Sequence, residues 1–211
     1  MSGFTGVNPA QAEVDFVYVT MFFDSGVNIL NGAFEFITRD IPIVWASPKA
    51  FEFGNKYIPQ LNSIMKQFCS LANKFVPATY NAIDALLKAN GVSSSSMSYE
   101  KYEPIEYANN FKEEIDGVVG MTIENVRNIL DSFINRMESF HNVMEFGRGL
   151  NIALYDPNGE IKSAFKAMMD HTEEEINGVV DNIKKSLESA IEEEINKVNT
   201  AKVASVDILN N

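Results

Sequence analysis

Phe16, Phe23, Leu30 and Ile37 recur every seven residues, with Val27, Phe34 and Ile41 falling between them. Apolar side chains stepping by 4 and 3 line one face of an α-helix and cannot alternate across a strand. The stretch therefore predicts one long, buried helix. Phe22, Ile29, Phe36 and Ile43 make a second seven-residue row. Two stripes on one helix mean neighbours on two sides, as in a bundle. Asn8-Pro9 supplies an N-cap and a first-turn proline, and Glu13 complements the helix dipole.

Three more segments carry the same period. Tyr57, Leu61, Ile64, Phe68, Leu71 and Phe75 step by 4 and 3, continuing through Tyr80, Ile83 and Leu87 to a stop at Asn90-Gly91. Pro59 and Pro77 lie inside this segment and predict bends. A third helix reads along Ala108, Phe111, Ile115, Val119, Thr122, Val126, Ile129, Phe133, Met137, Phe140 and Met144, with Gly147 and Gly149 weakening its end. A fourth reads along Ile161, Phe165, Met168, Thr172, Ile176, Val179, Ile183, Leu187, Ala190, Ile195 and Val198. Its outer face carries Glu173-Glu174-Glu175 and Glu192-Glu193-Glu194, which read as solvated.

The connections separate these helices into pairs. The only tryptophan, Trp45, lies between Pro42 and Pro48. Pro42 disfavours helix at Asp40-Ile41, and Ser47 is a sound N-cap for a helix opening at Pro48. The Trp45-Ala46-Ser47 turn therefore closes a hairpin, with the ring as its plug. Residues 92–98 include five serines and read as a flexible linker. Asp156, Pro157, Asn158 and Gly159 form a second turn, because proline presets φ and Asn-Gly tolerates positive φ. The predicted fold is all-α: two long antiparallel helical hairpins forming an elongated four-helix bundle. The boundaries are 1–91 for the first hairpin, 92–104 for the linker and 105–211 for the second. The tandem reads as a duplicated unit, closing within one chain or swapping between two.

Charge narrows the function. The formal net charge is −12, and it is uneven: residues 1–100 carry 8 acidic and 6 basic side chains, residues 101–211 carry 21 and 11. Such a surface repels nucleic acid and anionic membranes, so neither is an expected partner. Asp15, Asp24, Asn28, Asn31 and Glu35 break the first helix as a membrane span. No Lys or Arg precedes Arg39, so no charged region of a secretory signal is expected. Cys69 sits beside Phe68 on an apolar stripe and reads as a core thiol. Glu138 and His141 have the Glu-x-x-His spacing of di-iron bundles, but His171 has Met168 three residues before it, so the second copy is missing. No nucleophile elbow, phosphate loop or Cys/His cluster appears. No enzyme activity, cofactor or metal is expected.

A hairpin of two long helices joined by Trp45-Ala46-Ser47, with Ala50-Phe51 opening the second, resembles the WXG (Trp-X-Gly) family of bacterial type VII secretion. Those proteins are small, acidic, leaderless hairpins that dimerise into four-helix bundles. Ser47 stands where the family has glycine. The family carries a Tyr-x-x-x-Asp/Glu export signal after its second helix. The resemblance puts that signal at Tyr80 and Asp84; Tyr99/Glu103 and Tyr102/Glu106 share the spacing and stay as candidates. It covers residues 9–91, and the second hairpin matches in architecture only, as a fused and diverged partner subunit.

The resemblance implies a non-enzymatic protein exported by a type VII secretion system, or a partner or chaperone for its substrates. The implied partners are the membrane export ATPase and a co-secreted protein. The implied location is cytoplasmic before export, then secreted or at the cell surface, in a virulence or interbacterial role. In that family the signal of one hairpin lies near the turn of its antiparallel partner. Tyr80 and Asp84 are thus expected beside residues 154–159, and Trp45 toward the Val198 end of the last helix. Two other readings stay open: a pore-forming protein that opens its aromatic first helix into lipid, and a plain helical scaffold.

Overall fold

The computed structural model describes residues 8–93, 97–150 and 160–210. Asn8 caps the first helix, its side chain accepting from the Gln11 N–H, and α1 runs over Pro9–Glu35. Its first apolar row is the core: Phe16, Phe23, Leu30, Ile37 and Ile41 are all buried. Of the second row, Phe22 is buried, Ile29 and Phe36 are half-buried, and Ile43 is 70% exposed.

Pro42 does not stop the helix where the sequence predicts. A π-helical turn, Phe36–Asp40, carries the chain into a short helix α2, Ile41–Val44, with Pro42 in its first turn. Proline has no N–H to offer the carbonyl of Thr38 four residues back. The Asn110 side chain donates to that carbonyl instead, at 3.0 Å. Trp45 is the first extended residue, and Trp45–Ala46 forms the short strand β1. Ser47 then caps α3, Pro48–Ala89, by accepting from the Ala50 N–H at 3.0 Å. This helix runs through both Pro59 and Pro77. Its 42 residues span about 63 Å at 1.5 Å each.

Residues 97–119 are not the start of a third helix. They form an extended strap that returns along the α1–α3 groove to the tryptophan end. Asn73 on α3 clasps one strap residue from both sides: its Oδ1 accepts from the Tyr102 N–H and its Nδ2 donates to the Tyr102 carbonyl, both at 2.8 Å. Asn62 clasps Tyr107 in the same way, at 2.7 and 2.9 Å. The tyrosine hydroxyls reach across to α1, Tyr102 donating to the Thr20 carbonyl and Tyr107 to Asn31 Oδ1.

The spacing is a matter of two rises. Eleven helical residues advance about 16.5 Å and five extended residues about the same, so Asn62/Asn73, Thr20/Asn31 and Tyr102/Tyr107 fall into step. A buried backbone group needs a partner whatever its secondary structure. Here side-chain amides supply the partners that a helix would have supplied internally.

The strap ends in a tight turn. Ile115 and Val118 exchange two backbone hydrogen bonds around Asp116 (φ 52°) and Gly117 (φ 75°). Positive φ at both central residues is the type I′ geometry that Asp-Gly favours. Strand β2, Gly120–Met121, then pairs antiparallel with β1, Trp45 opposite Met121 and Ala46 opposite Gly120. The Thr122 N–H donates to the Val44 carbonyl and the Ser47 N–H to the Lys112 carbonyl. Only then does α4 begin, at Ile123 rather than near residue 105, and it runs to Arg148. The last helix, α5, is Glu160–Asn210.

Four long helices pack in a ring, α1 against α3 and α4, and α5 against α3 and α4. Phe16 meets Tyr80 and Gly26 meets Phe68; Tyr18 meets Phe146 and Gly32 meets Arg136; Phe75 meets Phe165 and Tyr57 meets Ser186; His141 meets Glu173 and Arg148 meets Asp170, so every neighbouring pair is antiparallel. One continuous core joins all four, and the fold is an all-α four-helix bundle of two antiparallel hairpins.

Candidate functional site

The tryptophan turn is built from apolar and local polar contacts together. Trp45 is 4% exposed, its ring 5.5 Å from Phe53 on α3 and 6.2 Å, edge-on, from Phe111 on the strap. Phe53 and Phe111 also meet each other at 5.3 Å. The plug expected from the sequence thus closes with a third ring that the hairpin alone does not own. Ser47 is extended at φ −174°, a backbone any residue adopts, and its hydroxyl serves the cap.

The last helix closes over this turn, with Ala190, Glu193 and Lys197 sharing a cavity of about 320 Å³ with Trp45, and with Lys49 paired to Glu193. Trp45 therefore lies toward the Val198 end, as antiparallel closure of the hairpins requires. Outside the plug, Ile43, Val118 and Val119 are largely exposed around the β1–β2 ribbon.

At the far end, Tyr80 and Asp84 lie one turn apart on α3, on the same side. Tyr80 is half-buried, its ring 5.8 Å from Phe16 and 5.4 Å from Tyr99. The Asp84 side chain is 17% exposed and holds Lys88 at 2.7 Å. That hydrogen bond raises the Lys88 ammonium above its ordinary range. Tyr99/Glu103 and Tyr102/Glu106 lie on the extended strap, where four residues span about 13 Å and no ring-and-carboxylate pair forms on one helical turn. Among the three candidates, only Tyr80/Asp84 has helical spacing.

The second turn, Asp156, Pro157, Asn158 and Gly159, lies outside the described residues. Its flanks are placed: Gly147 on α4 packs on Phe22 and Met169, and Phe165 on α5 stacks on Phe75 at 4.1 Å. Phe165 near the start of α5 thus meets α3 five residues before Tyr80, and the end of α4 packs on α1 and α5 at the end opposite Trp45.

His141 is exposed and meets Glu173 at 2.7 Å, and Arg148 reaches both Glu173 and Asp170. Burial pushes the Glu173 carboxyl up, but hydrogen bonds from Arg148 and His141 outweigh it and leave it below the usual range. These groups clamp α4 to α5. Glu138 takes no part, and no group of three or more His, Cys, Asp or Glu among the described residues is arranged to hold a metal ion. Cys69 is buried, and burial raises its thiol.

The sequence reading missed Asn62, Asn73 and Tyr107, and named Tyr102 only as a candidate export signal. Their signal was present as the eleven- and five-residue spacings, which have meaning only once one segment is extended. No protein-family model, curated protein or solved structure matches this chain.

Proposed function

We propose that this chain is a non-enzymatic WXG-like protein that a bacterial type VII secretion system exports, or that partners what the system exports. One observation carries the reading. A Trp-Ala-Ser turn is plugged between two long antiparallel helices, in a chain whose second hairpin closes on the first with opposite orientation. In this proposal Tyr80 and Asp84 present a ring and a carboxylate to the export ATPase from the end of the bundle remote from Trp45. Ser47 stands in for the family glycine as the cap of the second helix.

The test is secretion of Tyr80→Ala and Asp84→Ala from a host that carries the system. Each variant is expected to accumulate in the cell, folded, with little in the medium. Undiminished export of both would remove the signal from this position.

A second reading has one observation in its favour. Val14, Val17, Tyr18 and Met21 are exposed on α1 beside Phe146, an apolar row that membrane activity would use. No helix among the described residues is long and apolar enough to cross a membrane. Liposome leakage across a pH series separates the readings, because the export reading expects none.

A further inference from the structure

Residues 53–83 contain no aspartate or glutamate, in a chain that has 29 of them. This acid-free stretch is most of α3, and its charged side chains are Lys56, Lys66 and Lys74. One flank of α3 already holds an extended segment. The strap laid there carries Glu100, Glu103 and Glu106, with Asn62 and Asn73 clasping its backbone. The molecule thus shows in its own fold that this helix accepts an extended polypeptide, held through its backbone.

The other flank is open. A groove of about 430 Å³ runs between α3 and α5, with Lys66, Lys74 and His171 among its walls and Leu71 and Met168 in its lining. Ser63, Gln67 and Ser70 add hydroxyl and amide groups along the same helix face. Lys66 and Lys74 pair with no carboxylate among the described residues. The one nearby acid that contacts a groove residue is Glu175, 3.7 Å from His171. Two lysines unpaired among the described residues thus stand along the α3 wall of the groove, with Glu175 at its α5 rim.

We infer that the α3–α5 groove docks an extended acidic segment of a partner polypeptide, its carboxylates on Lys66 and Lys74 and an apolar side chain between them on Leu71 and Met168. The geometry sets the spacing of that segment. Lys66 and Lys74 are eight helical residues apart, about 12 Å, which matches two acidic residues four apart in an extended chain, about 13 Å. The export reading is not needed for this inference, and failure of either leaves the other standing.

The probe is the blocked peptide Glu-Ser-Leu-Ser-Glu, titrated into the full chain and followed by backbone amide shifts. Saturable shifts confined to residues 63–74 and 168–172 are expected. Replacing both glutamates of the peptide by glutamine, or the protein by Lys66→Gln/Lys74→Gln, is expected to weaken binding about tenfold. Both lysines are exposed, so the double variant should melt with the wild type. Absence of saturable shifts would overturn the inference, as would equal binding by the double variant or shifts confined to the strap groove. Inorganic phosphate giving the same shifts at the same concentration would reduce the site to a simple anion patch and equally overturn it. Self-association of the unliganded chain, lost in the double variant by light scattering, would assign the groove to a second copy instead.

Discussion

Two of the chain's described changes of direction are made by unlike means. At Trp45 it turns within a few residues, and the turn is held by desolvated rings and a helix cap. After α3 it takes residues 97–119 to travel back to the same end, held largely by side-chain amides on backbone groups. The first device removes a large apolar surface from water and is part of the single core. The second puts Met97 and Phe111 into that same core, but its backbone is satisfied by hydrogen bonds whose net worth is small individually, although leaving them unmade is costly. The turn should therefore fail only when the whole bundle fails, and the strap around Tyr102 and Tyr107 should open as a unit of its own.

Trp45→Ala is the heaviest blow to that contrast. Deleting a buried indole packed on Phe53 and Phe111 leaves a cavity and should cost about 3–5 kcal/mol. Denaturant unfolding followed by circular dichroism is expected to show one transition shifted to lower denaturant. A second, separate transition would mean that the turn is not coupled to the core.

Asn73→Ala and Asn62→Ala test the other half. Each removes both partners of a tyrosine backbone unit and should cost about 1–3 kcal/mol, felt where the strap lies. Amide exchange should rise at Tyr102 and Tyr107 while the central amides of α1 and α3 keep their protection. Equal acceleration throughout would show that the strap and the bundle are one cooperative unit.

Gly54→Ala attacks the point where the two devices meet. A Cβ there would lie 2.6 Å from Phe111 Cδ2 and within clash distance of Asn109 Oδ1, so the strap must lift. Overpacking of this kind costs about 1–3 kcal/mol, and the expected value is at the lower end because Asn109 is exposed. Crystal or solution geometry of the variant should show residues 109–111 displaced with α1 unchanged.

Alkaline titration is gentler still. Burial raises the phenols of both Tyr102 and Tyr107 far above their ordinary range, with nearby acidic groups adding to it. A folded-state pKa above the unfolded one means that the protonated phenol favours folding. That contribution is complete below about pH 10 and is lost as pH climbs toward the folded-state values. Tyrosinate absorbance should show these two rings ionising last, together with release of the strap amides. The variant Tyr102→Phe/Tyr107→Phe should lose this late step.

The same contrast explains what the sequence could reveal. The turn was legible because its information is local: Pro42, Trp45, Ser47 and Pro48 are neighbours, and each has its own backbone preference. The bundle was legible because its apolar period persists for tens of residues. The strap was misread because Phe111, Ile115 and Val119 happen to fall four apart, although of the three only Phe111 is buried and Val119 is largely exposed. Pro104, Asn109-Asn110 and Asp116-Gly117 were the local evidence against helix, and they proved the better guide. What decided the matter lies elsewhere in the chain, in Asn62 and Asn73, whose amides satisfy the extended backbone, and in Asn31, which accepts from the Tyr107 hydroxyl. Of the candidate site, the spacing of Tyr80 and Asp84 was readable. The place of Tyr80 on the apolar seam was readable too, but its contact with Tyr99 was not, since Tyr99 arrives on the strap.

The smallest expected effect concerns Ser47. A glycine is required where φ is positive, and here φ is −174°, so the position places no demand on the missing side chain of glycine. What it does reward is an oxygen that accepts from the Ala50 N–H. Ser47→Ala should therefore cost about 1 kcal/mol, and Ser47→Gly only a few tenths, because glycine is itself a tolerable N-cap. If the thermal midpoint of Ser47→Gly matches the wild type within that margin, serine and glycine are equivalent at this turn, and the departure from the Trp-X-Gly pattern has no structural weight. A loss well beyond that of Ser47→Ala would show instead that the hydroxyl holds the turn together with Trp45, and Ser47 would stand as a real departure from the Trp-X-Gly pattern.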